Sequence, residues 1–281
     1  MTYYYHQDAI HISRVDLNVK NLNESLDFYL NKLGFSILKQ EKDFVSLTVD
    51  HQNEILRLYE NKKISKSNNM NIYHFALLLP NRKTLSKFLH HLIINQIEID
   101  GAADHKVSEA IYLRDPNGFG IEVACDRDDQ EWQKDNEHIE MDTKPFDYKG
   151  VYYETDETEI FANLPETTVI GHLHLQVNDL QKAKDFYNKI IGFKITNEEI
   201  YEAVFMSDKN YHHHLAINSW FKNKNAEVDQ PQMKSFTINY PSCEKYLNTL
   251  NNLKKAQIEY QETSEGIFIK DPENTSIYLK I

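Results

Sequence analysis

Val177-Asn178-Asp179-Leu180, followed by Asp185-Phe186-Tyr187 and Gly192-Phe193, restates an earlier stretch of the same chain. Val19-Lys20-Asn21-Leu22, Asp27-Phe28-Tyr29 and Gly34-Phe35 each stand 158 positions before their counterparts. Three matches at one spacing mark a structural repeat rather than shared composition. Each copy opens with alternating apolar residues (Val15 to Val19, Leu173 to Val177), which predicts a strand, then a capped helix, then strands opened by the glycine. Leu26, Tyr29, Leu30 and Leu33 recur at helical spacing, so the Phe-Tyr pair belongs to the core.

A second repeat follows each first one. Phe75 and Pro80 correspond to Phe236 and Pro241, each after an alternating strand and before a helix (Lys83 to Asn95, Cys243 to Leu253). Asp115-Pro116 corresponds to Asp271-Pro272, a turn feeding the last strand, Gly120 to Cys125 or Ser276 to Ile281. The chain therefore reads as four units of strand, helix and about three strands, at 1–62, 63–127, 169–226 and 227–281. In chain order these form an N-terminal domain, 1–127, and a C-terminal domain, 169–281, joined by a linker, 128–168. The fold class is α+β: four βαβββ units in two half-barrel pairs, one face buried on helices and the other lining a cavity.

The composition, 41% hydrophobic and 26% charged with 8 Gly and 7 Pro in 281 residues, excludes collagen-like and low-complexity classes. No apolar run reaches the roughly 20 residues of a membrane span, and Met1 to Ile12 lacks a secretion-signal pattern, so the expected location is cytoplasmic with no membrane partner. Cys125 and Cys243 form no CxxC pair, which argues against a disulfide scaffold and a cysteine zinc site. The net charge of −12 disfavours nucleic acid. From Asp126 to Thr168 there are 14 acidic and 4 basic residues, so the acidity belongs to the linker, which is expected to be a solvated or interaction-bearing stretch.

Residues that break the repeat carry the chemistry. The first strands hold Arg14, His74, His172 and Ser235 at the equivalent place, and the last strands of units two and four hold Glu122 and Tyr278. Strand alternation sends Phe75, Leu77 and Leu79 to the helix side and His74 to the cavity. It likewise turns Glu122 away from Ile121 and Val123, and lines the cavity with His172, His174 and Gln176. Two imidazoles and one carboxylate suit a non-haem Fe(II) facial triad with open coordination positions; Mn(II) or Zn(II) fits the same donors.

The pattern resembles the vicinal-oxygen-chelate superfamily and, within it, the extradiol ring-cleaving catechol 2,3-dioxygenases. The resemblance covers almost all of the chain outside the linker. It rests on Gly171-His172-Leu173-His174-Leu175-Gln176-Val177-Asn178-Asp179-Leu180, on Tyr112-Leu113-Arg114-Asp115-Pro116-Asn117-Gly118 leading to Glu122, and on Tyr211-His212-His213-His214-Leu215-Ala216. It implies metal ligands His74, Glu122 and His172, a substrate-contacting Tyr112 and an assisting His105. It also implies His174 beside the bound species and an acid/base histidine near the start of the strand after Tyr211. With Leu215 and Ile217 read as the packed face, His214 takes that role, with His213 the alternative one register step away. The implied reaction is cleavage of a catechol by O2 to a muconic semialdehyde. Small aromatic diols and O2 would be the partners, and a homodimer would be compatible. A hydroquinone ring-cleaving dioxygenase, a glyoxalase-like isomerase or thiol transferase, and a non-enzymatic aromatic-ligand binder are the alternatives.

One departure bears on the assembly. Most two-domain extradiol dioxygenases carry the metal in units three and four, whereas Ser235 and Tyr278 occupy those places in unit four here. Either units two and three close one barrel within the chain, as in ring-cleaving hydroquinone dioxygenases of the superfamily, or the site completes across a dimer. The long linker favours the first.

Overall fold

Every unit starts from the same local physics. The computed structural model describes residues 7–64, 71–221 and 232–281. Unit one comprises strand β1 (His11–Val19), helix α1 (Leu22–Asp27), and β2 (Ser36–Gln40), β3 (Val45–Thr48) and β4 (Leu56–Glu60). Unit two comprises β5 (Ile72–Leu79), α2 (Arg82–Ile94), β6 (Gly101–Asp104), β7 (Ser108–Arg114) and β8 (Gly120–Asp126). The linker adds β9 (Lys134–Asp135), β10 (His138–Ile139), β11 (Lys144–Pro145) and α3 (Tyr148–Tyr152). Unit three is β12 (Val169–Gln176), α4 (Leu180–Asp185), β13 (Lys194–Asn197), β14 (Ala203–Ser207) and β15 (Leu215–Asn218). Unit four is β16 (Met233–Asn239), α5 (Cys243–Lys255), β17 (Gln261–Thr263), β18 (Gly266–Lys270) and β19 (Ser276–Lys280).

Asn21, Asn81, Asp179 and Ser242 start the four unit helices by accepting a backbone N–H of the first turn, which satisfies a donor that the helix cannot. α1 and α4 then widen into π turns at Phe28–Lys32 and Phe186–Ile191. The wider turn departs from the simple helical spacing of the sequence, yet Tyr29 and Tyr187 are fully buried as expected. Gly34 and Gly192, with φ of 84° and 104°, reverse the chain after those turns in a conformation that disfavours a Cβ.

Chain order and sheet order differ. β1 pairs antiparallel with β16, and β5 pairs antiparallel with β12 within the same chain. One sheet therefore runs β17-β18-β19-β16-β1-β4-β3-β2 and the other β11-β6-β7-β8-β5-β12-β15-β14-β13. Units one and four share a sheet, as do two and three; both sheets run across the 1–127 and 169–281 segments, and among the described residues neither closes into a barrel. Helix anchoring ties sequence neighbours together instead. The Tyr29 hydroxyl of unit one donates to Asp115 Oδ2 of unit two at 3.3 Å, and Tyr187 of unit three donates to Asp271 Oδ2 of unit four at 2.7 Å. Each aspartate's other oxygen accepts two backbone N–H groups of its own Asp-Pro turn, from Asn117 and Phe119 or from Glu273 and Thr275.

The acidic linker is not a solvated connector. Trp132, Ile139, Phe146, Val151, Phe161 and Leu164 within it are buried, and the last four join the main core. Arg82 of α2, itself anchored by an ion pair to Glu109 of β7 at 2.6 Å, holds it by an ion pair to Glu154 at 3.0 Å. Its charge count hides this packing because the acidic residues are interleaved with aromatic and aliphatic ones that bury. Among the described residues no helix is long and apolar enough to cross a membrane.

Candidate metal centre

The centre lies where β5, β8 and β12 run side by side. β8 runs parallel to β5 with Glu122 opposite Ala76, and β12 runs antiparallel to it with His172 opposite that same Ala76. Phe75, Leu77, Ile121, Val123, Leu173 and Leu175, all essentially fully buried, occupy the opposite face. A break in the β5–β12 register between Ile170 and His172 helps to set the histidine's position. His74 Nε2 lies 3.0 Å from His172 Nε2, and Glu122 Oε2 lies 3.1 Å and 3.3 Å from the two imidazoles.

These three donors lie within 4.8 Å of one another, and all three side chains are buried. Burial alone would raise the Glu122 carboxyl, but the adjoining His172 and His74 outweigh it and keep the group ionised. Burial lowers His74 and holds it neutral. A carboxylate beside the neutral His74 imidazole, with His172 adding a second nitrogen donor, is the donor set that a divalent cation takes, so the residues fit a metal. Two borderline nitrogen donors and one hard oxygen suit Fe(II), Mn(II) or Zn(II) alike.

A cavity of about 280 Å³ opens above the three donors. His105 and Tyr112 line it, with a Tyr112 hydroxyl to His105 Nε2 distance of 2.6 Å and a His105 Nδ1 to Asp142 carbonyl distance of 2.9 Å. A carbonyl only accepts, so His105 Nδ1 donates to Asp142 and its Nε2 is turned to the Tyr112 hydroxyl. Burial and the Glu122 charge push the Tyr112 phenol well above its ordinary range, so it stays protonated. His174 lines the same wall, its Nε2 accepting from Asn218 Nδ2 at 2.9 Å, and burial beside His74 and His172 lowers it far enough to be neutral.

The histidine run corrects one sequence expectation. His213, not His214, lines the cavity, its ring 4.0 Å from that of His172. His214 is completely buried, stacked on Phe193 and tilted against Tyr211, with its Nδ1 accepting from the Asp208 backbone N–H at 3.3 Å. Ala216 and Asn218 do lie opposite His174 and Gln176 in the ladder, as alternation predicts. That ladder begins only at Leu215, and the bent chain before it no longer obeys the period of two. Burial, with His172 and His212 beside it, lowers His213 well below an ordinary histidine.

Other walls had no motif to announce them. Tyr73 contacts the rings of His74, His174 and Trp220, and Ile200, Phe205 and Trp220 line the cavity. Met141, Asp142 and Thr143 of the linker complete it. Phe119 lies in the core and takes no part.

The companion sheet is blocked at the corresponding place. Arg14, Ser235 and Tyr278 stand where His172, His74 and Glu122 stand in the other. Arg14 bonds Asp16 at 2.8 Å and Glu265 at 2.7 Å, Arg57 bonds Glu265 at 2.7 Å, and the Ser235 hydroxyl donates to Asp16 at 2.7 Å. Guanidinium groups offer no metal lone pair, and here they saturate the nearby carboxylates.

Residues 11–123 and 169–275 match the family model of the Glyoxalase/Bleomycin resistance protein/Dioxygenase superfamily. A Bacillus subtilis protein named catechol-2,3-dioxygenase is 38% identical over 275 residues, covering 95% of each chain. Among solved structures, one from Bacillus subtilis aligns with a TM-score of 0.67 at 11% identity, over 97% of this chain and 85% of that one. Glyoxalase I from Zea mays aligns with a TM-score of 0.58 at 12% identity, over 99% and 94%. The structural likenesses establish the vicinal-oxygen-chelate fold.

Proposed function

Since the chain belongs to the glyoxalase/bleomycin resistance protein/dioxygenase superfamily, we propose that it is an Fe(II)-dependent extradiol dioxygenase cleaving a catechol with O2 to a muconic semialdehyde. The observation that carries the reading is the meeting of His74, Glu122 and His172 at a cavity also lined by His213, Tyr112 and His105. The likeness to the Bacillus subtilis catechol-2,3-dioxygenase supports it. The cavity volume lies just under the roughly 300–1,000 Å³ of common small-molecule sites and favours a single-ring substrate.

His74, His172 and Glu122 would hold the iron, which when bound supplies Lewis acidity toward the diol oxygens and electrons for O2 chemistry. The residues themselves bind, orient and move protons. His213, neutral and buried, accepts a proton from a substrate hydroxyl and returns one as the ring opens. Tyr112, held against His105, presents its hydroxyl to a substrate oxygen. His174, fixed by Asn218, and the Tyr73 and Trp220 rings enclose the ring plane and restrict water.

The test is oxygen uptake by anaerobically prepared, Fe(II)-loaded protein on addition of catechol, with the visible spectrum recorded. Uptake of one O2 per catechol with a yellow semialdehyde product is expected. No uptake with iron bound would overturn the catechol reading and turn the search to hydroquinones or non-oxidative chemistry.

A further inference from the structure

The cavity histidine is the end of a buried chain of side chains. His213 Nδ1 lies 2.8 Å from His212 Nδ1, and His212 Nε2 lies 3.0 Å from Asp126 Oδ1, at the end of β8. His212 and His213 are both more than nine-tenths buried. The His212 ring is confined by Tyr211 at 4.0 Å and Trp132 at 5.2 Å between centroids, and Thr196 Oγ1 donates to its backbone carbonyl at 2.6 Å. Its plane is therefore set from outside the cavity.

Hydrogen-bond roles along this chain follow from Asp126. A carboxylate oxygen accepts, so His212 Nε2 is the donor in its bond to Asp126. The His212 tautomer with its single proton on Nε2 has a bare Nδ1, and two bare nitrogens cannot face each other at 2.8 Å. The shared proton then belongs to His213 Nδ1, and the nitrogen left bare on the cavity histidine is Nε2.

We infer that Asp126 and His212 are positioning residues that lock His213 in its Nδ1–H tautomer, leaving an unprotonated Nε2 for the cavity. The locking stands on the hydrogen-bond chain; what the bare nitrogen accomplishes, acceptance of a substrate proton, rests on the function proposed above. A tautomer set in advance spares the site a proton rearrangement before reaction, much as a carboxylate partner fixes a histidine ligand or base elsewhere. Nothing in the 212–214 run announces Asp126, which lies 86 residues earlier and meets it only through the pairing of units two and three.

The test is a long-range proton–nitrogen correlation spectrum of full-length protein labelled with nitrogen-15 histidine and loaded with Zn(II) as a diamagnetic stand-in. The His213 signals are assigned by their loss in His213→Gln. The expected wild-type result is a protonated Nδ1 and a bare Nε2 on His213. Asp126→Asn should introduce the opposite tautomer without changing zinc content, and Asp126→Glu should restore the wild-type pattern. With an active substrate, Asp126→Asn should lower kcat about 10- to 100-fold with KM nearly unchanged. A wild-type His213 protonated on Nε2 would overturn the inference, whether or not any variant folds. An unaltered His213 tautomer in Asp126→Asn would also overturn it. Both spectra are independent of oxygen uptake, so failure of the catechol reading and failure of this one are separable.

Discussion

Metal retention is expected to turn on Glu122, because it is the only anion of the cluster and is ionised although buried. Glu122→Ala and His172→Ala are each expected to purify with little or no metal by elemental analysis, while the fold persists in circular dichroism. His213→Ala should keep the metal and lose about 10²- to 10⁴-fold in kcat, the usual contribution of an acid/base group. The neighbouring position should behave in the opposite way. His214 is enclosed by Phe193 and Tyr211, so His214→Ala should cost about 1–3 kcal/mol in urea denaturation and largely spare kcat. This contrast also shows the reach of sequence reasoning for one residue. His74, Glu122 and His172 lie inside regular ladders, where alternation fixes the face, and their orientation was legible. His213 and His214 precede the ladder at Leu215, where no period operates, and their order inverted.

Between elements, the repeated tyrosine and aspartate act as bolts. Tyr187 on the π turn after α4 reaches Asp271 in the turn before β19, as Tyr29 reaches Asp115 before β8. Removing one hydroxyl leaves a buried carboxyl short of a donor, so Tyr187→Phe should lower stability by about 1–3 kcal/mol in urea. The ion-paired strands β1 and β4 make a separate prediction about acid. Burial raises the Glu265 carboxyl, but hydrogen bonds from Arg57 and Arg14 outweigh that effect and hold it at about 2. A carboxyl depressed in the folded state stabilises above its unfolded value, near 4.5, and loses that contribution as pH falls toward 2. Melting temperatures of Glu265→Gln should therefore fall less steeply than wild type between pH 4.5 and 2. The Tyr and Asp motifs were visible as repeated letters, but their pairing was not, since the partners lie 84 and 86 residues apart.

At the scale of the whole molecule, the two sheets are unequal copies. One brings His74, Glu122 and His172 together, and the other fills the same place with Arg14, Arg57 and their carboxylates. Metal analysis should thus find one ion per chain, not two. Because its ligands come from units two and three, the ion should also clamp β5 to β12. Chelation should lower the melting temperature, and restoring free metal to 100 times its Kd should return about 2.7 kcal/mol. The sequence by itself determined the four βαβββ units, the inward and outward faces of their strands and the identity of the three candidate ligands. Each of these is written in local periodicity or in a repeat that can be compared letter by letter. Only the tertiary structure decided that β5 meets β12 and β1 meets β16 in one chain, that the linker packs and lines the cavity, and that Asp126 backs His212. Main-chain hydrogen bonding is the same for every strand, so the choice of neighbour rests on side-chain packing between distant segments, which no short-range pattern encodes.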